Sequence, residues 1–211
     1  MIIGAGSYAK VIIDIIEKQK TFRIDGLLDD NFQPNANILG YRILGAIANI
    51  PTHIHGGIVA VGDNWARNQI VKKIKQSNKD FIFISAIHPS AIIGRGVKIG
   101  CGSALLAGSI INSGSRLGDH SIISNNVSVD HDNILGNFSS LAPGAITCGN
   151  VSIAQYTHLG AGAKVIQGRS IGDHCVIGAG AVVTKNVDAY SVQYGVPAKF
   201  IRSRVVGEKY L

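Results

Sequence analysis

The sequence predicts two unlike parts in one chain: a small Rossmann-like α/β unit over residues 1–86, and an all-β parallel helix of hexapeptide repeats with a tail over 87–211. Three observations carry this. An aliphatic residue recurs at every sixth position from Ile93 to Val183, with Thr147 the single polar member and no insertion to break the count. A short apolar start, Met1–Ile3, runs into the glycine turn Gly4-Ala5-Gly6-Ser7-Tyr8-Ala9. Strand-like and helix-like segments then alternate up to Phe81–Ile84.

In the first part, Ile2 and Ile3 begin a strand, and Lys10–Lys20 carries Val11, Ile12, Ile15 and Ile16 at helical spacing. Phe22–Leu28 reads as a second strand that ends at Asp29-Asp30. Ile58–Val61 is a continuous apolar run stopped by Gly62-Asp63-Asn64, the pattern of a buried parallel strand. Trp65–Lys75 reads as the helix that follows, with Trp65, Ile70 and Ile74 facing in. Four strands are too few for a full dinucleotide domain.

In the second part, His88-Pro89 marks the crossing, because proline drives the residue before it out of helical geometry. A period of six fits neither an amphipathic helix nor an alternating strand. It fits short strands that turn a corner after each hexad and stack coil on coil. Small residues four places after the aliphatic stations, such as Ser103, Ser109 and Ser115, suit tight corners. The repeats fill about 90–188, and Lys199, Arg202 and Arg204 follow as a basic tail. Stacked coils leave long, straight grooves between neighbouring chains, which suit a long, thin ligand.

Bulk properties narrow the function. The formal charge of +7 is scattered along the chain, and no segment resembles a nucleic-acid module. An anionic metabolite such as a nucleotide sugar or coenzyme A is the better inference for a partner, with charge that serves solubility alone as the other reading. No run of eighteen apolar residues suggests a membrane span, and the first residues lack a secretory pattern. Cys101, Cys148 and Cys175 have no metal-like spacing and read as reduced thiols, so a cytoplasmic location is expected.

One hexad departs from the rest. Val129-Asp130-His131-Asp132-Asn133-Ile134 sets four polar residues in a row. Local breakage of a regular pattern by polar groups points to a functional site. His131 is placed to take up a proton near neutral pH, with Asp132 or Asp130 to orient its ring. His120, His158 and His174 sit at other phases without carboxylates around them, and read as exposed corner or groove residues. His131 and His158 are 27 residues apart, one and a half coils, so they do not stack and no metal site is expected. The turn Gly4-x-Gly6-x-x-Ala9 opens a helix and can approach a phosphate, with Asp29 where a ribose hydroxyl is often gripped. No hydride-transfer domain follows it, which argues against a dehydrogenase.

Taken together, the glycine-turn unit, His88-Pro89-Ser90-Ala91, the unbroken hexads, Val129-Asp130-His131-Asp132, Ala142-Pro143-Gly144-Ala145, Gly149-Asn150-Val151 and Gly195-Val196-Pro197-Ala198-Lys199 resemble a family. It is the bacterial nucleotide-amino-sugar N-acetyltransferase and sialic acid O-acetyltransferase family of hexapeptide-repeat sugar acyltransferases. The resemblance implies a left-handed β-helix, a homotrimer, and acetyl-CoA lying between adjacent β-helices. It implies His131 as general base with Asp132 as its orienting carboxylate. It implies contacts to the nucleotide sugar from Gly6, Ser7, Tyr8, Asp29, Asp30 and Gly62, with UDP or dTDP as the nucleotide. It implies contacts to the coenzyme from Ala161 and Ala179 and, with its histidine replaced, from Ser140.

Lys199 and the basic tail are expected to meet the coenzyme's phosphates. Three positions depart from the family pattern: Ser140, Ser124 and Tyr8 stand where histidine, asparagine and histidine are common. The expected reaction is acetylation of the 4-amino group of a nucleotide-linked 4-amino-4,6-dideoxy sugar for surface glycan or glycoprotein precursors. Backbone N–H groups or the Ser140 hydroxyl are expected to hold the oxyanion. O-acetylation of a sialic acid or other sugar, and a non-catalytic nucleotide-sugar-binding trimer, are the alternatives.

Overall fold

The structure is a computed structural model that describes residues 1–32 and 36–209. Its α/β part holds β1 (Ile2–Ile3), α1 (Ser7–Gln19), β2 (Leu27–Leu28), a hairpin of β3 (Asn37–Ile38) and β4 (Tyr41–Arg42), then β5 (Gly56–Val59), α2 (Asn64–Ser77) and β6 (Ile82–Phe83). The parallel sheet runs in the order β2-β1-β5-β6. Neighbouring residues of each strand face opposite ways. Ile2, Leu27 and Ile58 pack with Ile12, Ile13 and Ile16 of α1. Ile3, Leu28 and Val59 pack with Val71 and Ile74 of α2. The second strand is shorter than the sequence suggests, because Phe22, Arg23 and Asp25 are exposed and only Leu27–Leu28 pairs with β1. Helix α1 begins at Ser7, not Lys10, with Gly6 as an extended N-cap.

The second part is a left-handed parallel β-helix of about six turns. Its strands form three faces. The first face stacks Ala86–Ile87, Ala104–Leu105, Ile122–Ile123, Ser140–Leu141, His158–Leu159 and Val176–Ile177. The second runs from Ile92–Ile93 to Val182–Val183, and the third from Lys98–Ile99 to Ser170–Ile171. The hexad stations from Leu105 onward are buried inside the prism, Thr147 among them. The polar small residues close the corners: Ser103 Oγ donates to the Gly118 carbonyl and accepts from the Ser121 amide.

The strand Ala86–Ile87 already pairs with Ala104–Leu105, so the first rung starts before the expected repeats. The first face also runs past residue 188. Ser191–Tyr194 pairs in parallel with Val176–Ile177, and Lys199–Ser203 folds back antiparallel to it.

Both helices join the parts. Helix α1 shares a core with Ala86, Ala104 and Leu106 of the first face. Helix α2 packs on the corner between third and first faces, where His120, Phe138, Tyr156, His174 and Tyr190 form a continuous ring stack. Phe83 meets His120 edge-on, and Trp65 meets Tyr156. His120 and His174 are therefore buried (3% and 7% exposed), which corrects the reading of them as exposed corner or groove residues. Each ladder residue has positive φ, so the side chain leaves the coil and lies over its neighbour one coil away.

Arg67 of α2 locks this joint. It is 1% exposed and donates to the carbonyls of Val61, Gly62, His120 and Phe138 and to Asn64 Oδ1. Hydrogen bonds to a buried charged group contribute about 1.5–3 kcal/mol each when a partner is removed. Arg67→Leu is expected to lower unfolding stability by about 2–4 kcal/mol, read from the denaturant midpoint, because it strands buried carbonyls. An unchanged midpoint would contradict this role for Arg67.

Candidate active site

A groove of about 680 Å³ runs along the corner between first and second faces. Ser124, Ser140, Ala142, His158, Gly160, Ala161, Gly178 and Ala179 line it from the β-helix, and Tyr8 and Gly62 from the α/β part. The α/β contribution follows from topology. Strands β1 and β5 are neighbours, yet α1 and α2 leave them on opposite faces. Ligands bind at such a switch point, outside the carboxyl ends of the strands.

Gly4 has φ of 102°, and a Cβ there would lie 3.0 Å from the Ala60 carbonyl oxygen, so the turn packs tightly on the chain after β5. Gly6 and Gly62 face open space. The Gly62 carbonyl is held by Arg67, so this loop is fixed before any ligand arrives. The Tyr8 hydroxyl is buried with no hydrogen-bond partner among the described residues, and its pKa is pushed up by burial. Asp29 accepts from the Ala5 and Asn31 amides and so braces the glycine turn. Asp30 accepts from the Ile47 amide and lines a separate cavity with Lys73.

The polar hexad lies elsewhere, at the corner between second and third faces. His131 is half exposed, and its Nδ1 is 2.9 Å from Asp132 Oδ2. Asp130 does not share this contact. Its carboxylate accepts from the His131 amide and from Asn112 Nδ2. The hydrogen bond to Asp132, with the charges of Asp130 and Asp132, raises the His131 pKa above its ordinary value of 6.5.

The corner is pinned from inside: buried Asn133 donates to the carbonyls of Asp130, His131 and Cys148, and Ser115 Oγ donates to the Asp130 carbonyl. One coil on, Gly149 leaves the ring its place, since a Cβ there would lie 2.5 Å from His131 Cε1 and Nε2.

Ser140 lies in the groove wall, and its Oγ is 2.7 Å from Nδ1 of His158 in the next strand of the first face. Burial, with the charges of Arg204 and Arg67, pushes the His158 pKa down to about 4. Sequence reasoning set His158 aside for want of a carboxylate. The usable signal was its spacing of one full coil from Ser140. Lys199 is exposed on the last strand and does not line the groove. Arg202 pairs with Glu208 at 2.6 Å. Arg204 is corrected: it is buried and donates to the carbonyls of His174 and Glu208 rather than standing out as part of a basic tail. All three cysteines are free.

Comparison with known proteins gives the context. Residues 1–74 match the PglD N-terminal domain, and residues 150–185 match the bacterial transferase hexapeptide (six repeats). The structure of PerB from Caulobacter crescentus in complex with CoA and GDP-perosamine is 34% identical, covers 95% of this chain and 96% of that one, and superposes with a TM-score of 0.89. This chain belongs to the hexapeptide-repeat sugar N-acetyltransferase family.

Another member is the acetyltransferase domain of PglB from Neisseria gonorrhoeae FA1090 in complex with acetyl coenzyme A. It is 30% identical with a TM-score of 0.88 and covers 95% of this chain and 97% of that one. A curated relative, UDP-N-acetylbacillosamine N-acetyltransferase from Bacillus subtilis (strain 168), is 33% identical over 117 residues, half of each chain. Among the described residues of this sugar N-acetyltransferase family member, no group of three His, Cys, Asp or Glu side chains is arranged to hold a metal ion.

The raised pKa of His131 is directly measurable. By NMR titration the ring is expected to titrate above 6.5, and Asp132→Asn to bring it down toward that value. A variant ring that titrates as the native one does would remove Asp132 as the cause.

Proposed function

We propose that this chain transfers an acetyl group from acetyl-CoA to the 4-amino group of a nucleotide-linked 4-amino-4,6-dideoxy sugar. The observation that carries this reading is the groove shared by both parts of the chain. Tyr8 and Gly62 supply its α/β end, and Ala161 and Ala179 its β-helix end. Such a groove suits two ligands that meet head to head. Its α/β end borders the N-terminus of α1, which favours a phosphate. Ser7, Gly6 and Asp29 complete the proposed nucleotide-sugar contacts, with Ala161, Ala179 and Ser140 toward the coenzyme; Asp30, in a separate cavity, and Lys199, outside the groove, are left out of them.

His131 does not line this groove: it stands at the corner between second and third faces, whereas Ser140, nine residues on, lies in a strand of the first face. The site is therefore completed by a second copy, whose His131 reaches the groove of its neighbour in a homotrimer. The sugar amine attacks the thioester carbonyl, and a C–N bond forms. His131 takes the amine proton, and Asp132 stabilises the resulting imidazolium. The C–S bond then breaks, the proton passes to the departing thiolate, and the products are the N-acetyl sugar and coenzyme A.

His131→Ala is expected to lower turnover by about 10²–10⁴-fold while coenzyme binding stays intact. Thiol release with UDP-, dTDP- and GDP-linked amino sugars, followed by mass spectrometry of the product, checks both the base and the acceptor. Native turnover in the variant, or acetyl esters in place of amides, would overturn the corresponding half of the reading.

A further inference from the structure

We propose that Asn133 is a positioning residue for acetyl transfer: from inside the prism it fixes the peptide that carries His131. The inference rests on the reading of His131 as base and adds a residue to it.

The His131 corner has counterparts on the adjacent coils. One coil before, the turn is Asn112-Ser113-Gly114-Ser115, and one coil on it is Cys148-Gly149-Asn150-Val151. All three turns hold their third residue in the left-handed region, with φ of 78° at Gly114 and 56° at Asp132 and Asn150. All three bury the fourth residue. Serine and valine therefore suffice to build this turn, and valine does so even after a non-glycine third residue. The fold does not require asparagine here. The coil that has it is the one whose turn carries His131 and Asp132.

Asn133 also brings a burden. It is fully buried, and its Oδ1 has no hydrogen-bond partner among the described residues. Three carbonyls around Nδ2 fix the orientation of the amide, because an oxygen in that place would face three acceptors. A buried polar atom left unpaired is destabilising and calls for an explanation.

The bonds of Asn133 supply one. Its 3.0 Å bond to the Cys148 carbonyl is the ordinary one, since the corner donors Ser103, Ser115 and Thr157 also reach the carbonyl fifteen residues on. In the same slot Ser115 donates to the next coil alone, and Val151 has no side-chain donor. Asparagine adds two bonds to its own turn, 2.9 Å to the Asp130 carbonyl and 3.1 Å to the His131 carbonyl. These hold the His131 peptide from inside. From outside, Asp130 Oδ1 accepts the His131 N–H at 2.8 Å, and Asn112 Nδ2 donates to the same oxygen. A base held on both sides keeps its ring in one direction, and a misplacement of about 1 Å can lower the rate by about 10²-fold.

The test uses the full chain and two variants, Asn133→Ser and Asn133→Val. Both are expected to fold, because serine and valine already fill this slot on the adjacent coils. Each is expected to lower kcat by about tenfold, with KM for both substrates within about twofold and a denaturant midpoint close to native. With ¹³Cε1-labelled histidine, the His131 signal is identified as the one missing from His131→Ala. NMR relaxation is expected to show that ring more mobile in both variants than in the native protein.

Native kcat in both variants, a loss of kcat that only follows a lowered midpoint, or unchanged ring mobility would overturn the positioning role. Native turnover in His131→Ala would instead remove the base itself, and the ring mobility would then still decide whether Asn133 holds His131.

Discussion

The eighteen-residue coil decides what can meet what in this protein. Three hexads close one turn of the prism, so side chains on neighbouring coils meet when they stand about one coil apart. Ser140 and His158 obey this spacing and share a hydrogen bond. So do His131 and Gly149, where the glycine leaves room for the ring. So do His120, Phe138, Tyr156 and His174, whose rings stack. His131 and Ser140 are half a coil apart, one at a corner and the other on the first face. The groove and the proposed base are thus separated within one chain by the same geometry that builds each of them.

Much of the architecture was legible because it is periodic. The aliphatic stations from Ile93 to Val183 give the β-helix, and the polar hexad around His131 stands out against them. The glycine turn and its helix were legible because Gly4 meets a close-approach demand that other residues fail. Two features escaped. The aromatic ladder was present as a spacing of eighteen, but residue-by-residue reading treats each histidine alone. Arg67 escaped because the inner face of α2 is polar: Asn64, Arg67 and Asn68 are buried there together with Val71 and Ile74. A polar stripe at helical spacing reads as a solvent face unless the partner is known. Here the partner is a column of backbone carbonyls, which needs donors rather than apolar side chains.

His131 and His158 show how far environment overrides residue type. His131 sits at an open corner beside a carboxylate and is made more basic. His158 sits in an aliphatic groove near two arginines and is made less basic. Neither property belongs to histidine itself. The sequence showed the carboxylate beside His131 because it is the next residue, Asp132. It did not show the surroundings of His158, because these come from the coil before, the coil after and helix α2.

The central claim is that each site is assembled from the His131 corner of one copy and the groove of the next. Subunit complementation tests it most directly. One variant, His131→Ala, lacks the base, and a second, Ala161→Trp, fills the groove at an exposed position. Each alone is expected to be inactive, and equal mixtures refolded together are expected to regain about a quarter of native activity, because one pairing in four of a closed ring unites an intact base with an intact groove. Mixtures as inactive as their parents, from oligomers shown to be mixed, would contradict the account.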